Sequence, residues 1–409
     1  MVSRLSSEQV IAIFPWGDVI EEFLAPLDLE LSDFLDTMSG GWLFGYVEAL
    51  RSAGFRPVVV CASRNLARSE RRVHRSSGAT VWVVPGTESA LPYSSRRSAA
   101  QWWRTPWRAF GAALRAERCE AMLVQEYEYA RYDALALLAK LLRIHLFATF
   151  QGGDRTLSRL EGWVRPRTLR LARGLVVASG HERDRLMRAY RVLPPLADIP
   201  NPIDADGWPI GRRAEARAKL GLAPDLFLAI THGRVDIQRK GLDVLIEAWR
   251  RFARGTVTCR LVLIGSGQDN ERFRAMLAST GMESIDWHAH YTTDRDELRT
   301  WLSAADVYVS ASRTEGMPVA PLEAMATGLP VVCTRAQGLP DIFALGEAHG
   351  GILVPRDDAQ AIADALRRLA CDPNLAKALG AAGRSRVTDH FAIAAVGRSL
   401  GTFIASAVG

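Results

Sequence analysis

Asp306-Val-Tyr-Val-Ser-Ala-Ser-Arg-Thr-Glu315-Gly-Met-Pro-Val-Ala-Pro-Leu-Glu323-Ala-Met-Ala-Thr-Gly328, with the apolar run 329–333 behind it, reads as strand, loop, short helix and strand. Gly316, Pro318 and Pro321 keep Glu315 out of any helix, Pro321 suits a helical first turn, and Gly328 suits the position just past a helix end. Glu315 is therefore expected on the loop and Glu323 in the first turns of the helix. Short β-branched runs separated by helical spacing recur along the whole chain, the pattern of a parallel sheet wound with helices. Strands are expected at 10–14, 57–61, 80–84, 121–125, 146–150 and 174–178, then at 226–231, 260–264, 284–288, 307–310, 329–333 and 351–354.

At 409 residues the chain exceeds one ordinary hydrophobic core, and 48% apolar content is enough for two. Pro194, Pro195, Pro200, Pro202 and Pro209 deny residues 193–209 a regular helix or a central strand, which places the domain junction there. The expected domains are 1–204 and 205–385, with a C-terminal helix at 386–409 packing back toward the first. Two doubly wound α/β domains facing each other would bring strand C-termini to both walls of a central cleft.

The helix start after Glu315 is expected to offer unpaired backbone N–H groups, from about Met317 to Val319, to an anion or to sugar oxygens. Carboxylates beside a diphosphate would repel it, so Glu315 and Glu323 suit neutral hydroxyls, one set on a sugar and one on a ribose. Acidic residues placed for the helix dipole would explain the same pattern without a ligand. A second segment, Ile230-Thr-His-Gly233-Arg234-Val-Asp-Ile-Gln-Arg239-Lys240-Gly241, leads from a strand into an amphipathic helix. Gly233 permits close backbone approach, and Arg234 and Lys240 can both reach one diphosphate, the first by its planar fork and the second as a point charge. Both would stabilise charge building on a departing nucleoside diphosphate, although a solvated basic loop fits the same residues.

Gly233-Arg234-x5-Lys240-Gly241 followed by Glu315-x7-Glu323 resembles the donor half of glycosyltransferase family 4, retaining enzymes of the GT-B fold. Ile199-Pro-Asn-Pro-Ile-Asp204, Leu261-Val-Leu-Ile-Gly265-Ser-Gly267 and Gly350-Gly-Ile-Leu-Val-Pro-Arg-Asp357 extend the resemblance over most of the second domain. It implies two Rossmann-like domains and a hexosyltransferase-type activity. A nucleoside-diphosphate sugar, UDP-linked by preference, would be the donor. Arg234 and Lys240 would hold its diphosphate, with Arg239 as the spare cation, Glu323 its ribose, and Glu315 with residues 316–319 its sugar. Gly265 and Gly267 fall with the donor-side residues; lacking a third glycine, they do not complete a dinucleotide fingerprint. No obligatory metal and no cofactor are implied, because the cations and the helix start supply the charge a divalent ion would otherwise provide.

Ser39-Gly40-Gly41-Trp42 in the first domain resembles the family's glycine loop near donor phosphate and acceptor. Thr149-Phe150-Gln151-Gly152-Gly153-Asp154 falls where many members carry a histidine near the reacting sugar. Gln151 or a neighbouring glycine stands in its place, and Asp154 is a candidate acceptor contact or a turn cap. The family's transfer on one face of the sugar, with the leaving phosphate taking the acceptor proton, does not require that histidine. Residues 15–38, with Trp16, Phe23, Leu31 and Phe34, read as an extra packed helix in preference to an acceptor lid. A nucleotide-sugar epimerase of the same plan and a non-catalytic nucleotide-sugar-binding protein are the rival readings. Acceptors in cell-surface glycan, glycolipid or small-molecule glycoside synthesis all fit.

Five scattered cysteines without C-x-x-C spacing suggest neither a disulfide framework nor a zinc site, and point to a reducing cytoplasm. No run approaches the length of a spanning helix, and the short apolar run 10–14 is not a signal peptide. The net charge of +6 favours anionic partners. Arg64, Arg68, Arg71 and Arg75 would form one basic helical face, able to meet the cytoplasmic face of an anionic membrane or simply solvated. Trp103, Trp107, Phe110 and Leu114 share a helical stripe, read as core-facing in preference to membrane-inserted. No nucleic-acid motif accompanies these residues, and that class of partner is set aside.

Overall fold

Apolar runs rich in Val and Ile, bounded by Gly, Pro and Asp, form parallel strands in each of two units, Met1–Pro202 with Ile393–Gly409, and Ile203–Ala392. The computed structural model describes residues 9–408 apart from 28, 37, 39–40, 89–90, 92–93, 151–156, 256–257 and 291–293.

In unit 1 the strands are β1 Val10–Phe14, β2 Arg56–Ser63, β3 Glu70–Val73, β4 Thr80–Pro85, β5 Ala121–Gln125, β6 His145–Thr149, β7 Gly174–Val177 and β8 Leu196–Asp198. Their order is β3-β4-β2-β1-β5-β6-β7-β8, parallel except for β3. The order reverses between β1 and β5, as in a doubly wound sheet. Helices cover both faces. Phe110, Leu114, Tyr132 and Leu169 close one core, while Phe34, Phe44, Val47, Val396 and Ile404 close the other.

Helices Glu21–Leu24 and Leu31–Asp36 bury Phe23, Leu24 and Phe34. The C-terminal helix Ile393–Val408 lies on Gly41–Ser52, with Gly397 too close to the Ala49 carbonyl for any Cβ, which would sit 2.5 Å from it. The helix Pro373–His390 runs straight through position 386, and the chain leaves unit 2 only after Ala392. No breaker stands at 385, so nothing in the local sequence ends the helix at the expected boundary.

The expected basic helix at 64–75 is absent. Glu70–Val73 is instead an edge strand antiparallel to β4, closed by the turn at 74–79. Arg71 is held at 2.7 Å from Glu117, which also binds Arg56 at 2.8 Å and the Trp82 indole at 2.9 Å. A buried carboxylate with three donors outweighs the local helical spacing of arginines. Pro106 likewise splits the aromatic stripe into Ser95–Arg104 and Trp107–Ala116; Phe110 and Leu114 are buried as expected, but Trp103 is 89% exposed.

In unit 2 the strands are β9 Phe227–His232, β10 Cys259–Ile264, β11 Ile285–His288, β12 Val307–Ser310, β13 Val331–Thr334 and β14 Gly351–Val354. All pair parallel in the order β11-β10-β9-β12-β13-β14. The reversal falls between β9 and β12. Ligands of open α/β sheets sit in the crevice beyond the strand C-termini at such a point.

Candidate donor site at the switch point of unit 2

β9 ends by delivering Thr231, His232, Gly233 and Arg234 to the switch point. Gly233 has φ +137°, and its N–H donates to the Ile264 carbonyl at 2.9 Å. Gly265 at φ +146° would carry a Cβ 1.9 Å from the Gly233 carbonyl oxygen, and a Cβ on Gly267 would lie 2.4 Å from that of Val235. These two glycines let the loop after β10 press against the loop after β9. Val235 N–H to Ser266 O (3.0 Å) and Ile237 N–H to Asp269 Oδ2 (2.8 Å) complete the seam. Their close partner is protein backbone, which fixes the course of the Arg234 loop.

β12 delivers the other wall. Gly241, at φ +60°, brings the Lys240 turn against the Ala311 carbonyl, where a Cβ would approach to 2.0 Å. Lys240 Nζ donates to Glu315 Oε1 at 2.6 Å, and Ser312 Oγ donates to the same oxygen at 2.7 Å. The Glu315 side chain is 8% exposed and that of Lys240 27%.

Arg313 ties the two walls together: its N–H donates to the Arg239 carbonyl at 2.9 Å, and its guanidinium bridges Asp243 at 2.8 Å and Asp357 at 2.5 Å. Burial tends to raise the Asp243 carboxyl, but the Arg313 hydrogen bonds outweigh it and the net shift is downward. Gly338, at φ +81°, backs the loop; a Cβ there would lie 1.6 Å from the Gly316 carbonyl oxygen. The helix Val319–Ala326 has Pro318 as its N-cap, extended at φ −71° and ψ 134°, with no side-chain cap. Pro318 has no N–H, so the open amides belong to Val319 and Ala320, one position later than expected. Gly328, at φ +81°, follows the helix end as anticipated.

Arg234, Lys240, Glu315, Gly233, Pro318 and His232 line one cavity beyond the ends of β9 and β12. Gly265 and Gly267 stand behind it. Glu323 sits at its edge, with Oε2 2.8 Å from His232 Nε2 and Oε1 4.0 Å from Arg295. The His232 ring meets Tyr308 edge-on at 5.4 Å, and the Tyr308 hydroxyl donates to the His232 carbonyl at 3.3 Å. Burial pushes the Tyr308 phenol upward, keeping it neutral. Arg295 also lies over the Trp208 ring at 5.6 Å. Sequence reasoning passed over His232, Arg313 and Gly338. His232 adjoins Gly233 in the quoted segment, and Arg313 lies two positions before Glu315. Gly338 carried no signal, because its partner is distant in sequence.

In unit 1, Gly40, Gln151 and Asp154 lie outside the described residues, and Gly41 opens the helix Gly41–Ser52. Beyond the strand ends lies a buried ionic network that the sequence did not suggest. Arg185 spans Glu128 at 2.5 Å and Glu182 at 2.6 Å, and Gln101 donates to Asp18 at 2.6 Å. Burial drives the Glu128 and Glu182 carboxyls upward against the pull of Arg185. Glu126 holds φ +106° at the end of β5. Among the described residues no His, Cys, Asp and Glu group has metal-site geometry, and no helix is long and apolar enough to cross a membrane.

Residues 227–372 match the family described as Glycosyl transferases group 1, and residues 43–206 match Glycosyltransferase Family 4. The chain is 33% identical over 217 residues to a D-inositol 3-phosphate glycosyltransferase from Streptomyces bingchenggensis, covering 50% of this chain and 47% of that protein. It thus spans about half the length of the curated relatives it matches first. Sucrose-phosphate synthase from Thermosynechococcus elongatus shares the fold with a TM-score of 0.74 at 22% identity, over 97% of this chain and 98% of that one. An Anabaena protein, HepE, solved in complex with UDP, gives 0.72 at 14% identity, over 97% and 100%.

Proposed function

Because the chain belongs to glycosyltransferase family 4, the group 1 glycosyl transferases, we propose that it moves a sugar from a nucleoside-diphosphate sugar to a hydroxyl acceptor with net retention. The observation that carries this reading is the convergence of Arg234, Lys240 and Glu315 on one cavity at the switch point, with Glu323 fixed at its edge. Arg234 and Lys240 hold the diphosphate, and the open amides of Val319 and Ala320 add donors for sugar oxygens or phosphate. Glu323 accepts from the ribose and Glu315 from the transferred sugar. UDP is the favoured nucleotide, and the Anabaena neighbour with UDP bound supports testing it first.

In the chemical step the bond from the anomeric carbon to the diphosphate oxygen breaks, and the acceptor oxygen bonds to the same face. The acceptor proton passes to the leaving diphosphate, whose charge Arg234 and Lys240 stabilise. These cations take the part of a divalent metal, so a chelator should leave transfer intact; abolition would overturn that point. Cysteines scattered along the chain without C-x-x-C spacing support a cytoplasmic setting.

The test is incubation with UDP-, GDP-, ADP-, CDP- and dTDP-sugars and a panel of sugar, lipid-linked and small-molecule acceptors. Nucleoside diphosphate should appear only with acceptor, and NMR should show the donor's anomeric configuration in the product. Donor isomerised without acceptor would mark an epimerase, donor bound without turnover a binding protein, and an inverted product would contradict retention.

A further inference from the structure

Three helices of unit 1, Ser95–Arg104, Ala130–Leu142 and Arg159–Leu169, pack side by side. The Trp102 indole donates to the Ala130 carbonyl at 2.7 Å, Ser98 Oγ meets Ser158 Oγ at 3.0 Å, and Arg165 reaches Asp133 at 2.8 Å. Each helix turns a large apolar side chain to solvent, where burial would be expected: Trp103 is 89% exposed, Leu141 75% and Trp163 63%. Exposed cations share these stripes: Arg96 lies seven positions before Trp103, Lys140 and Leu141 lie three and four after the exposed Leu137, and Arg159, Arg167 and Arg170 lie four before, four after and seven after Trp163, with the Arg167 guanidinium over the Trp163 ring at 4.2 Å. The carboxylates of these helices, Asp133 and Glu161, are both buried against Arg165. The outer stripes therefore carry apolar tips and positive charge with no exposed acid.

We propose that this three-helix face docks on an anionic lipid bilayer. The apolar tips stand among cations with no exposed acid, a charge pattern that complements a uniformly anionic surface. Tryptophan and leucine tips reaching the headgroup boundary, with Arg and Lys at the depth of lipid phosphates, is the arrangement of a surface-bound amphipathic element. The face differs from the basic helix that the sequence suggested at 64–75, whose Arg71 is occupied by Glu117. It stands on unit 1 alone and does not depend on the reaction proposed above.

Sedimentation of the full chain with vesicles of phosphatidylcholine alone, and of phosphatidylcholine mixed with phosphatidylglycerol, tests it. Binding is expected to the mixed vesicles only and to weaken with salt. The variant K140Q/R159Q/R170Q should bind about a hundredfold more weakly, at about fivefold per cation removed. W103S/L141S/W163S should also lose binding; all six side chains are exposed, so both variants should keep the wild-type unfolding midpoint. Equal binding to both vesicle types, binding to neither, or binding undiminished in both variants would overturn the proposal. So would retention on a heparin column without vesicle binding, which would mark a polyanion surface and not a lipid one.

Discussion

Lys240→Ala strands Glu315, leaving its buried carboxylate with the Ser312 hydroxyl donating to Oε1 but without the ammonium. Removing one partner of a fully buried ion pair costs about 3–5 kcal/mol. Lys240 is 27% exposed, so water reaches the pair, and the loss should be about 1–2 kcal/mol. That corresponds to a fall of roughly 2–8 °C in the unfolding midpoint for a unit of this size. On the proposed reading the same substitution also deletes a charge-assisted hydrogen bond to the donor diphosphate, about 1.5–3 kcal/mol, which should weaken UDP roughly 10–150-fold. Adding Glu315→Gln separates the two effects. A neutral amide no longer needs the ammonium, so K240A/E315Q should recover most of the lost stability and none of the UDP affinity. Scanning calorimetry and UDP titration on wild type, both single variants and the double variant read out the cycle. A K240A protein as stable as wild type, or a double variant that regains UDP binding, would refute the reasoning.

Three further outcomes follow from the geometry. His232→Phe keeps a ring against Tyr308 but removes the partner of Glu323; donor KM should rise about tenfold with little change in unfolding midpoint, and His232→Gln should recover part of it. An unchanged donor KM would remove His232 from the site. Gly338→Ala puts a Cβ 1.6 Å from the Gly316 carbonyl at φ +81°, so it should cost about 2 kcal/mol or more and lower activity by moving the Glu315 loop. Full activity would show that loop to be tolerant. In unit 1, burial raises the Glu117 carboxyl, but Arg71, Arg56 and the Trp82 indole outweigh it and hold it at about 2. A carboxyl depressed on folding contributes stability that is complete above its unfolded value and disappears as pH falls toward 2. With Arg71 and Arg56 half-exposed, that contribution should be on the order of 2 kcal/mol. Glu117→Gln should therefore lose less stability than wild type between pH 5 and 2; parallel midpoint-against-pH curves would contradict this.

Most strands were legible because each is a short apolar run bounded by breakers, and the interior strands β1, β5 and β12, with the edge strand β14, fall on their expected residues. The edge strands β3 and β8 were not. Glu70-Arg-Arg-Val73 has a helical spacing of arginines and one apolar residue, and only its pairing with β4 and the hold of Glu117 make it a strand. β8 lies within the proline-rich junction, where an edge position tolerates what a central strand would not. At the candidate donor site, residue types and spacing pointed to Arg234, Lys240, Glu315 and Glu323. What holds them depends on contacts between distant segments: Gly338 behind Gly316, Gly265 behind Gly233, and Arg313 between Asp243 and Asp357. Such pairings leave no periodic trace. The direct bond between Lys240 and Glu315 also escaped a reading that gave them separate ligands.

The central claim is that the cavity between the ends of β9 and β12 holds a nucleoside-diphosphate sugar. A crystal structure of the protein grown with UDP and, separately, with the UDP-sugar that supports turnover would test it most directly. The diphosphate should lie within hydrogen-bonding distance of Arg234 and Lys240, with the ribose hydroxyls on Glu323 and the sugar on Glu315. A nucleotide ordered anywhere else, or a diphosphate that touches neither cation, would contradict it.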